Sequence, residues 1–332
     1  MNIFLYFRSK RKNDIITKEK NLKMEEDMNS LEAKPFLKWA GGKSKLLLEI
    51  ESRLPQDIKE GEIKTYIEPF IGGGAVFFYM LSKYKFDNLI ISDINKELIL
   101  TYKVIKNNAE ELINILENHD TKYNNLSSLE EKQEFYYYIR DEFNKGKNTI
   151  NYDIIGKDEI NHASFMIFLN KSCFNGLYRE NKKGGFNVPF GKKEKVNSFE
   201  RDNILSVSKA LKNTTILNGD FEIVKKYIDK DTFIYMDPPY RPLKDKGSFK
   251  DYSKEEFNDD TQIRLNEFCK YINKAGAKFM ESNSDPKNTD EEDEFFDELY
   301  NDFNIERVKA ARSINSKGNG RGKISEIIIK NY

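Results

Sequence analysis

Short hydrophobic segments that end on polar or special residues recur along the chain and alternate with helix-like segments. The first set is "IKTYIEPF" (63–70), "IGGGAVFFYMLSKY" (71–84) and "NLIISDI" (88–94), which predicts a strand, a glycine turn entering a helix, and a second strand. That order is typical of a βαβ unit. Further predicted strands lie in "TTILNGDF" (214–221), "TFIYMDPPY" (232–240), "AKFMESNS" (277–284) and "KISEIIIKNY" (323–332).

This alternation predicts an α/β fold with a mainly parallel sheet that is covered on both faces. Residues 96–200 break the alternation, because they are mostly helical in pattern and then loop-rich. We therefore expect a sheet domain formed by residues 34–95 and 201–332, with residues 96–200 inserted as a second domain. The length of 332 residues agrees with about two domains.

Residues 1–33 are expected to form a flexible N-terminal extension, and Met24 and Met28 are alternative starts. The first residues, "MNIFLYFRSKRK", are apolar and then basic, whereas a secretory signal has its basic part first and a longer apolar part. Nowhere does the chain reach the roughly 20 apolar residues that a membrane span needs. We expect neither a secretory signal nor a membrane partner.

Cysteine and histidine are too scarce for several kinds of chemistry. Cys173 and Cys269 lie far apart and form no C-x-x-C pair, which argues against a disulfide framework or a zinc site. Two histidines, His119 and His162, offer little material for a histidine base or a histidine–metal site. These features favour a cytoplasmic protein, nucleoid-associated in a bacterium, that requires no metal.

Charge is balanced over the whole chain but unevenly distributed. The 55 basic and 55 acidic residues argue against a nonspecific polyanion binder. Residues 171–195 nevertheless hold seven basic residues against two acidic ones, so one face of the protein can be basic. Residues 285–302 hold nine acidic residues and one lysine, which we interpret as a solvated charge run.

The glycine turn after the first predicted strand is a candidate ligand site, because ligands of open α/β sheets bind beyond the carboxyl ends of the strands. Asp93 ends the next strand, 21 residues after Gly72, and a carboxylate at about this distance commonly binds a ribose diol. Phe77 stands where a dinucleotide fingerprint needs its third glycine, and Glu68 would face a cationic amino acid moiety better than a phosphate. The turn therefore favours S-adenosylmethionine over a dinucleotide, and a tight turn without a ligand is the alternative.

A second glycine-containing segment, "FLKWAGGKSKLL" (36–47), resembles a phosphate-binding loop only superficially. The Walker A pattern needs glycine at position 37, where this chain has Leu37, and no buried strand precedes it. Trp39 is the single tryptophan, and it either stacks on a flat ring or anchors the fold; we favour stacking.

The corner "DPPY" (237–240) follows a predicted strand at the same sheet edge. Two prolines stiffen the backbone but keep their carbonyls as acceptors. Asp237 and the Pro238 carbonyl can both accept from one NH₂ group, while Tyr240 offers a face on which a base can stack. Such an arrangement suits attack by an exocyclic amine on a nearby methyl group, largely through positioning. The alternative is a structural Pro-Pro turn.

These motifs, in this order, resemble the Dam-like DNA adenine-N6 methyltransferases, in which the cofactor motif precedes the target domain and the catalytic motif follows it. The resemblance spans about residues 35–330. It implies a Rossmann-like, seven-stranded methyltransferase sheet with an inserted helical and β-hairpin target-recognition domain. The matching segments are "FLKWAGGKSKLL", "YIEPFIGGGAVFF", "ISDINKELI", "LNKSCFNGLYRENKKGGFNVPFG", "LNGDF", "DPPYRPL" and "ARSINSKGNGRGKISEIII".

The resemblance also implies roles for individual residues. Those implied to bind or line the site of S-adenosylmethionine are Trp39, Ala40, Gly41, Lys43, Glu68, Phe70, Gly72, Asp93, Asp220, Phe221 and Asp237. The catalytic tetrapeptide is Asp237, Pro238, Pro239 and Tyr240. Those implied to bind DNA are Lys38, Asn175, Leu177, Arg179, Lys182, Lys183, Pro189 and Lys192.

The physics of the implied DNA-reading hairpin agrees with this role. Arg179 can donate two hydrogen bonds to a guanine edge, and lysines can bind phosphates. Leu177 and Pro189 can make apolar contacts beside a vacated base. Residues 247–252 correspond to a phosphate-contacting loop, and residues 314–323 form a Gly-rich basic loop that is either a plain turn or a contact to DNA.

The resulting hypothesis is an enzyme that transfers a methyl group from S-adenosylmethionine to N6 of a flipped adenine in double-stranded DNA, within GATC. A cytosine-N4 or RNA amine methyltransferase, and a non-catalytic DNA-binding module on the same fold, are the alternatives. We expect a monomer, or a weak dimer on DNA. A cognate restriction endonuclease, a solitary regulatory role and a phage role all agree with the resemblance.

Overall fold

A computed structural model describes residues 32–241, 257–311 and 323–332 of the chain. Most of the predicted N-terminal extension, the predicted phosphate-contacting loop at 247–252 and nearly all of the Gly-rich loop at 314–323 lie outside the described residues. In chain order the helices and strands are α1 (Leu47–Ser52), α2 (Gln56–Lys59), β1 (Thr65–Glu68), α3 (Ala75–Lys83), β2 (Asn88–Asp93), α4 (Lys96–Asn124), α5 (Leu129–Gly146), α6 (Lys157–Ser172), α7 (Arg201–Leu211), β3 (Thr214–Asn218), β4 (Thr232–Met236), α8 (Asp259–Lys274), β5 (Lys278–Ser284), α9 (Phe295–Leu299), β6 (Asn304–Ala311) and β7 (Lys323–Lys330).

The described strands form a seven-stranded sheet with the order β3-β2-β1-β4-β5-β7-β6. Strands β1 to β5 pair in parallel, whereas β7 is antiparallel to both of its neighbours, β5 and β6. The prediction of a mainly parallel α/β sheet is thereby confirmed. Because β1, β2, β3 and β4 run the same way, their carboxyl ends meet at one edge.

Strand β6 is an element that the hydrophobic pattern did not single out. It lies at the sheet edge, where charged side chains are tolerated and help to prevent unwanted pairing. Glu306 of this strand forms ion pairs with Arg53 and Lys330. These charges interrupt the apolar alternation from which strands are predicted.

Hydrophobic residues of the central strands alternate between two cores, one on each face of the sheet. In β1, Tyr66 packs into one core and Ile67 into the other. In β4, Phe233 and Tyr235 belong to the first core and Ile234 and Met236 to the second. Burial on both faces explains why these strands are almost continuously apolar.

Region 96–200 begins with α4, whose start is set by local chemistry. Asn95 lies two residues after the end of β2, and its side chain accepts a hydrogen bond from the Leu98 amide as an N-cap. Helix α4 deviates from helical geometry at Asn108 and packs against β2, β3, α6 and α7. Because α4 contacts strands β2 and β3, it does not separate residues 96–200 from the sheet domain. The domain boundary at residue 96 therefore stays a prediction.

The segment after α6 folds back on itself as an antiparallel hairpin. Its bridges join Cys173 to Phe190 and Glu180 to Phe186. The Asn187 amide donates to the Arg179 carbonyl at 3.0 Å within the same hairpin. The predicted β-hairpin is therefore present, at the end of a helical segment.

Candidate active site

The glycine turn and Asp93 meet at the carboxyl ends of β1 and β2. One carboxylate oxygen of Asp93 accepts from the Gly72 amide at 3.1 Å and the other from the Asn95 amide at 2.9 Å. Burial raises the pKa of Asp93 to about 6, although these amides act in the opposite direction. Each oxygen of a carboxylate can accept a second hydrogen bond, so this side chain can still hold a pair of hydroxyl groups.

Glu68 ends β1 beneath the same turn. It is buried and accepts a hydrogen bond from the hydroxyl of Tyr66. Burial raises the pKa of Glu68 well above its ordinary value, with the nearby Asp237 acting in the same direction. A cationic group arriving here would favour the charged form of this carboxyl.

Trp39 lies directly over the glycine turn. A Cβ atom at Gly72, whose φ is +47°, would stand 2.9 Å from Cδ1 of Trp39, so a side chain at this position would displace the indole. The Trp39 ring also stacks on Tyr178 of the hairpin, with ring centroids 5.4 Å apart and 25° between the planes. The predicted stacking of Trp39 thus involves a protein ring in this structure.

Aromatic side chains form the far side of the site. Phe70 and Phe221 have ring centroids 5.5 Å apart, and Phe221 is buried. Asp220 precedes it and forms an ion pair with Arg264 at 2.5 Å, while its side chain also caps the following 3₁₀ turn. The structure therefore brings Phe70, Asp220 and Phe221 together near the turn.

The Asp-Pro-Pro-Tyr corner follows β4, as predicted. Oδ1 of Asp237 is 2.6 Å from Nζ of Lys43, and it also accepts from Ser282 Oγ at 3.4 Å. Burial raises the pKa of Asp237, while the Lys43 ammonium acts in the opposite direction. Lys43 Nζ also donates to the Tyr240 hydroxyl at 2.9 Å. Lys43 is therefore a constituent of the corner itself.

Arg241 anchors the chain directly after the corner. Its guanidinium donates to both oxygens of Asp259, at 2.6 and 3.0 Å, and to Asp293 at 2.8 Å. It lies 3.9 Å from the centre of the Phe295 ring. Asp293 belongs to the acidic run 285–302, so part of this run is engaged in ion pairs and the interpretation as a purely solvated run is wrong for it.

The hairpin segment carries all the predicted DNA-binding residues except Lys38, and most of them are exposed. Arg179 Nε donates to Asn187 Oδ1 at 2.8 Å, which holds the exposed guanidinium in one direction. Leu177 is half-buried against the core. The other hairpin residues of that set are exposed: Asn175, Lys182, Lys183, Pro189 and Lys192.

Lys38 joins this surface through a residue that sequence reasoning missed. The buried side chain of Asn170 accepts from the Lys38 amide at 2.8 Å and donates to the Lys38 carbonyl at 2.8 Å. It also donates to the Gly176 carbonyl of the hairpin at 3.2 Å. No local pattern marks Asn170 as a clamp, because Lys38 is 132 positions away in the sequence.

The sequence pattern also did not indicate two residues that contact the Asp-Pro-Pro-Tyr corner and one exposed residue of the hairpin segment. Ser282 on β5 contacts Asp237, and Gln262 on α8 donates to the Pro239 carbonyl at 3.5 Å. Phe174, beside Asn175, is an aromatic residue with 53% exposure. A phenylalanine directly before an Asn-Gly pair, within the basic segment 171–195, is the sequence signal that could have identified it.

Within ranges 32–241, 257–311 and 323–332, no group of three or more His, Cys, Asp or Glu side chains is arranged to hold a metal ion. In the same ranges, none of the helices combines the length and apolar character that crossing a membrane demands.

A sheet of this order, with a glycine turn and an Asp-Pro-Pro-Tyr corner at one edge, defines a Rossmann-like methyltransferase. Residues 39–314 match the family of D12 class N6 adenine-specific DNA methyltransferases, and the chain belongs to this family. It is therefore an adenine-specific DNA methyltransferase, as the sequence motifs predicted.

Relatives of known name cover nearly the whole chain. It is 52% identical over 303 residues to the Type II methyltransferase M.MjaIII of Methanocaldococcus jannaschii. This match covers 91% of this chain and 100% of that protein. It is 36% identical over 306 residues to the Type II methyltransferase M1.LlaDCHI of Lactococcus lactis, and the match covers 92% of this chain and 97% of that protein. The DNA adenine methylase of Haemophilus influenzae is 34% identical over 299 residues, and the match covers 90% of this chain and 93% of that protein.

Proposed function

We propose that the enzyme uses S-adenosylmethionine to methylate N6 of an adenine that is flipped out of duplex DNA, within the sequence GATC. The observation that carries the proposal is the position of the Asp237 carboxylate. It is held 2.6 Å from the Lys43 ammonium, at the sheet edge where the glycine turn and Asp93 also lie. This edge is where ligands of such sheets bind.

The chemistry of the donor set fits S-adenosylmethionine. Asp93 has acceptor capacity for the two ribose hydroxyls, and Glu68 offers a buried carboxyl to the cationic amino group. Phe70 and Phe221 provide apolar rings for the adenine. When bound, this cofactor supplies an electrophilic methyl group on a sulfonium. Trp39, Ala40 and Gly41 would complete the site beside the turn.

The corner would hold the target amine for attack. Both contacts of the Asp237 side chain use Oδ1, so we assign the second oxygen to one hydrogen of the adenine amine and the Pro238 carbonyl to the other. Acceptors on both hydrogens raise electron density on nitrogen and favour a tetrahedral geometry. Tyr240, whose side chain is 40% exposed, would stack on the flipped base.

We assign reading of the duplex to residues 96–200, and in particular to the hairpin. Arg179, aimed by Asn187, would donate to a guanine edge, while Lys38, Lys182, Lys183 and Lys192 would contact phosphates. Phe174 is exposed enough to insert beside the vacated base, as apolar wedges do in other complexes. Asn175, Leu177 and Pro189 would contact the same site.

The choice of GATC rests on the resemblance to Dam-like enzymes and on relatives named DNA adenine methylase. Two relatives named Type II methyltransferase support a setting in which a cognate restriction endonuclease cuts the same sequence. We propose a monomer on DNA, because the hairpin and the corner belong to one chain.

Labelled S-adenosylmethionine and short duplexes test the proposal. We expect label in GATC duplexes and none in GATC-free duplexes or RNA, with N6-methyladenine as the product. Asp237→Ala should lower the rate at least about 100-fold, because an acceptor of the reacting amine is lost, whereas duplex affinity persists. Asp231→Ala, at the exposed opposite end of β4, is the matched control. Label on cytosine or RNA, or wild-type turnover by Asp237→Ala, would refute the assignment.

A further inference from the structure

Glu326 is a buried carboxylate beside the corner, and none of the roles described above uses it. It lies on β7, opposite Ser284 of β5 and Val308 of β6, with 9% exposure. Its Oε2 atom is buried and has no hydrogen-bond partner among the described residues. Because a buried acceptor without a donor is costly, this position requires a physical reason.

Lys43 does not supply the missing donor. An ammonium group has three N–H donors. Two of them serve Asp237 Oδ1 at 2.6 Å and the Tyr240 hydroxyl at 2.9 Å. The third serves the Gly41 carbonyl at 3.2 Å. Nζ is 3.9 Å from Glu326 Oε2, so Lys43 and Glu326 interact through charge rather than through a hydrogen bond.

The hydroxyl of Tyr240 does have a proton to donate. Its oxygen accepts from Lys43, which leaves the hydroxyl hydrogen for another acceptor. Burial raises the pKa of Glu326, while the Lys43 charge and an interaction with the Tyr240 hydroxyl act in the opposite direction. Lys43 therefore bonds to both Asp237 and Tyr240 and lies 3.9 Å from Glu326, so the three side chains surround one ammonium group.

We propose that Glu326 is a positioning residue for methyl transfer: its carboxylate accepts the Tyr240 hydroxyl proton, fixes the Tyr240 ring and keeps the Lys43 ammonium on Asp237. This inference rests on the proposed function, which gives Tyr240 and Asp237 their roles toward the target base. Glu326 itself touches no reacting atom. The C-terminal strand β7 thereby becomes part of the catalytic apparatus.

Glu326→Gln tests the proposal because it keeps the size of the side chain and removes its charge. On a duplex that the wild-type protein methylates, we expect the single-turnover rate constant to fall about tenfold, the order expected for a hydrogen bond to a charged group. The dissociation constant for the duplex should stay unchanged. Glu306→Gln on the adjacent β6 is the matched control, because its carboxylate pairs with Arg53 and Lys330. This control should methylate at the wild-type rate.

A double-mutant cycle with Tyr240→Phe separates positioning from a general structural effect. The phenylalanine keeps the ring and lacks the hydroxyl, so Glu326→Gln should change the transfer rate little in that background. The same cycle, measured by urea unfolding, should detect the Glu326–Tyr240 coupling without any substrate. Additive effects in both measurements, or a wild-type rate for Glu326→Gln, would overturn the inference. A wild-type protein that methylates no DNA would instead overturn the proposed function, and the positioning role with it, while the unfolding cycle would still decide the contact.

Discussion

Trp39 and Tyr178 stack with ring centroids 5.4 Å apart, and this pair joins the glycine turn to the hairpin that follows α6. Trp39 covers Gly72 on one side. On the other side, the Tyr178 hydroxyl donates to Glu180 at 2.6 Å, and Glu180 also pairs with Lys147 of the segment after α5. One aromatic contact therefore connects the two sites that the proposed reaction needs.

Loss of this stack should weaken cofactor binding. For Tyr178→Leu we expect the affinity for S-adenosylmethionine to fall about two- to tenfold, the equivalent of an aromatic pair worth roughly 0.5–1.5 kcal/mol. Tyr178→Phe keeps the ring and should bind like the wild type. Isothermal titration of each variant measures the effect. Equal losses in both variants would mean that the hydroxyl contact to Glu180, and not the stack, matters.

Cofactor affinity should depend on pH through Asp93. Because its pKa is raised to about 6, Asp93 becomes protonated as the pH falls through 6 and loses acceptor capacity. Affinity for S-adenosylmethionine should therefore fall below about pH 6. Asp93→Asn should bind more weakly at every pH, and the part of the pH dependence due to this group should vanish. An unchanged pH profile in this variant would contradict the role of Asp93.

The raised pKa of Asp93 makes the free energy of unfolding depend on pH in the opposite direction to cofactor affinity. Asp93 binds its proton more tightly in the folded state than in the unfolded chain, where the pKa of Asp93 is near its ordinary 3.8. The contribution of Asp93 to the free energy of unfolding should therefore decrease as the pH rises from 3.8 to about 6 and stay constant above. Comparing wild type with Asp93→Asn by urea unfolding across this range isolates that contribution.

Arg179 should read one base pair, whereas Lys182 should read none. Arg179→Ala is expected to lose about 1–3 kcal/mol of discrimination at a single position of the site. Lys182→Ala should weaken all duplexes alike and reduce the salt dependence by about one unit of slope. Competition binding with singly substituted duplexes, at several salt concentrations, distinguishes the two. Uniform weakening by Arg179→Ala would identify it as a phosphate contact.

Gly74 and Gly61 provide a matched pair for the cost of crowding at the glycine turn. Both have φ of +74°, so alanine meets the same backbone strain at each position. A Cβ at Gly74 would stand 2.7 Å from the Tyr102 hydroxyl, whereas one at Gly61 has nothing within 4 Å. We expect Gly74→Ala to destabilise the protein by about 1–3 kcal/mol more than Gly61→Ala in urea unfolding. A Cβ at Gly74 would also stand 2.8 Å from the Phe78 ring, so equal losses would show that Tyr102 and Phe78 both move away freely.

The turn and the corner were predictable from sequence because each is a local pattern. A glycine run that begins four residues after the end of one strand, and a proline pair that begins two residues after the end of another, place their neighbours at the carboxyl ends of strands. Parallel pairing then brings those ends to one edge, whatever the rest of the chain does. Strand β6 was not predicted, because the ion pairs of Glu306 replace the apolar alternation of a strand with charges.

Contacts between distant segments had no such local signal. The Lys43–Tyr240 hydrogen bond joins residues 197 positions apart, and Asn170 clamps Lys38 across 132 positions. Likewise, Asp293 belongs to a run that looks solvated until Arg241 is seen to pair with it. Which charge meets which partner depends on how helices and strands pack, and hydrophobic periodicity carries no such information.

By itself, the sequence determined the alternation of strands and helices apart from β6, the glycine turn, the Asp-Pro-Pro-Tyr corner and the resemblance that they support, because each depends on neighbouring residues. Only the tertiary structure decided that Lys43 lies on Asp237, that Trp39 stacks on Tyr178 and that Glu326 lies behind the corner. The physical reason is that a buried charge is stable only when its partners surround it, and those partners come from strands and loops that meet only in the folded chain.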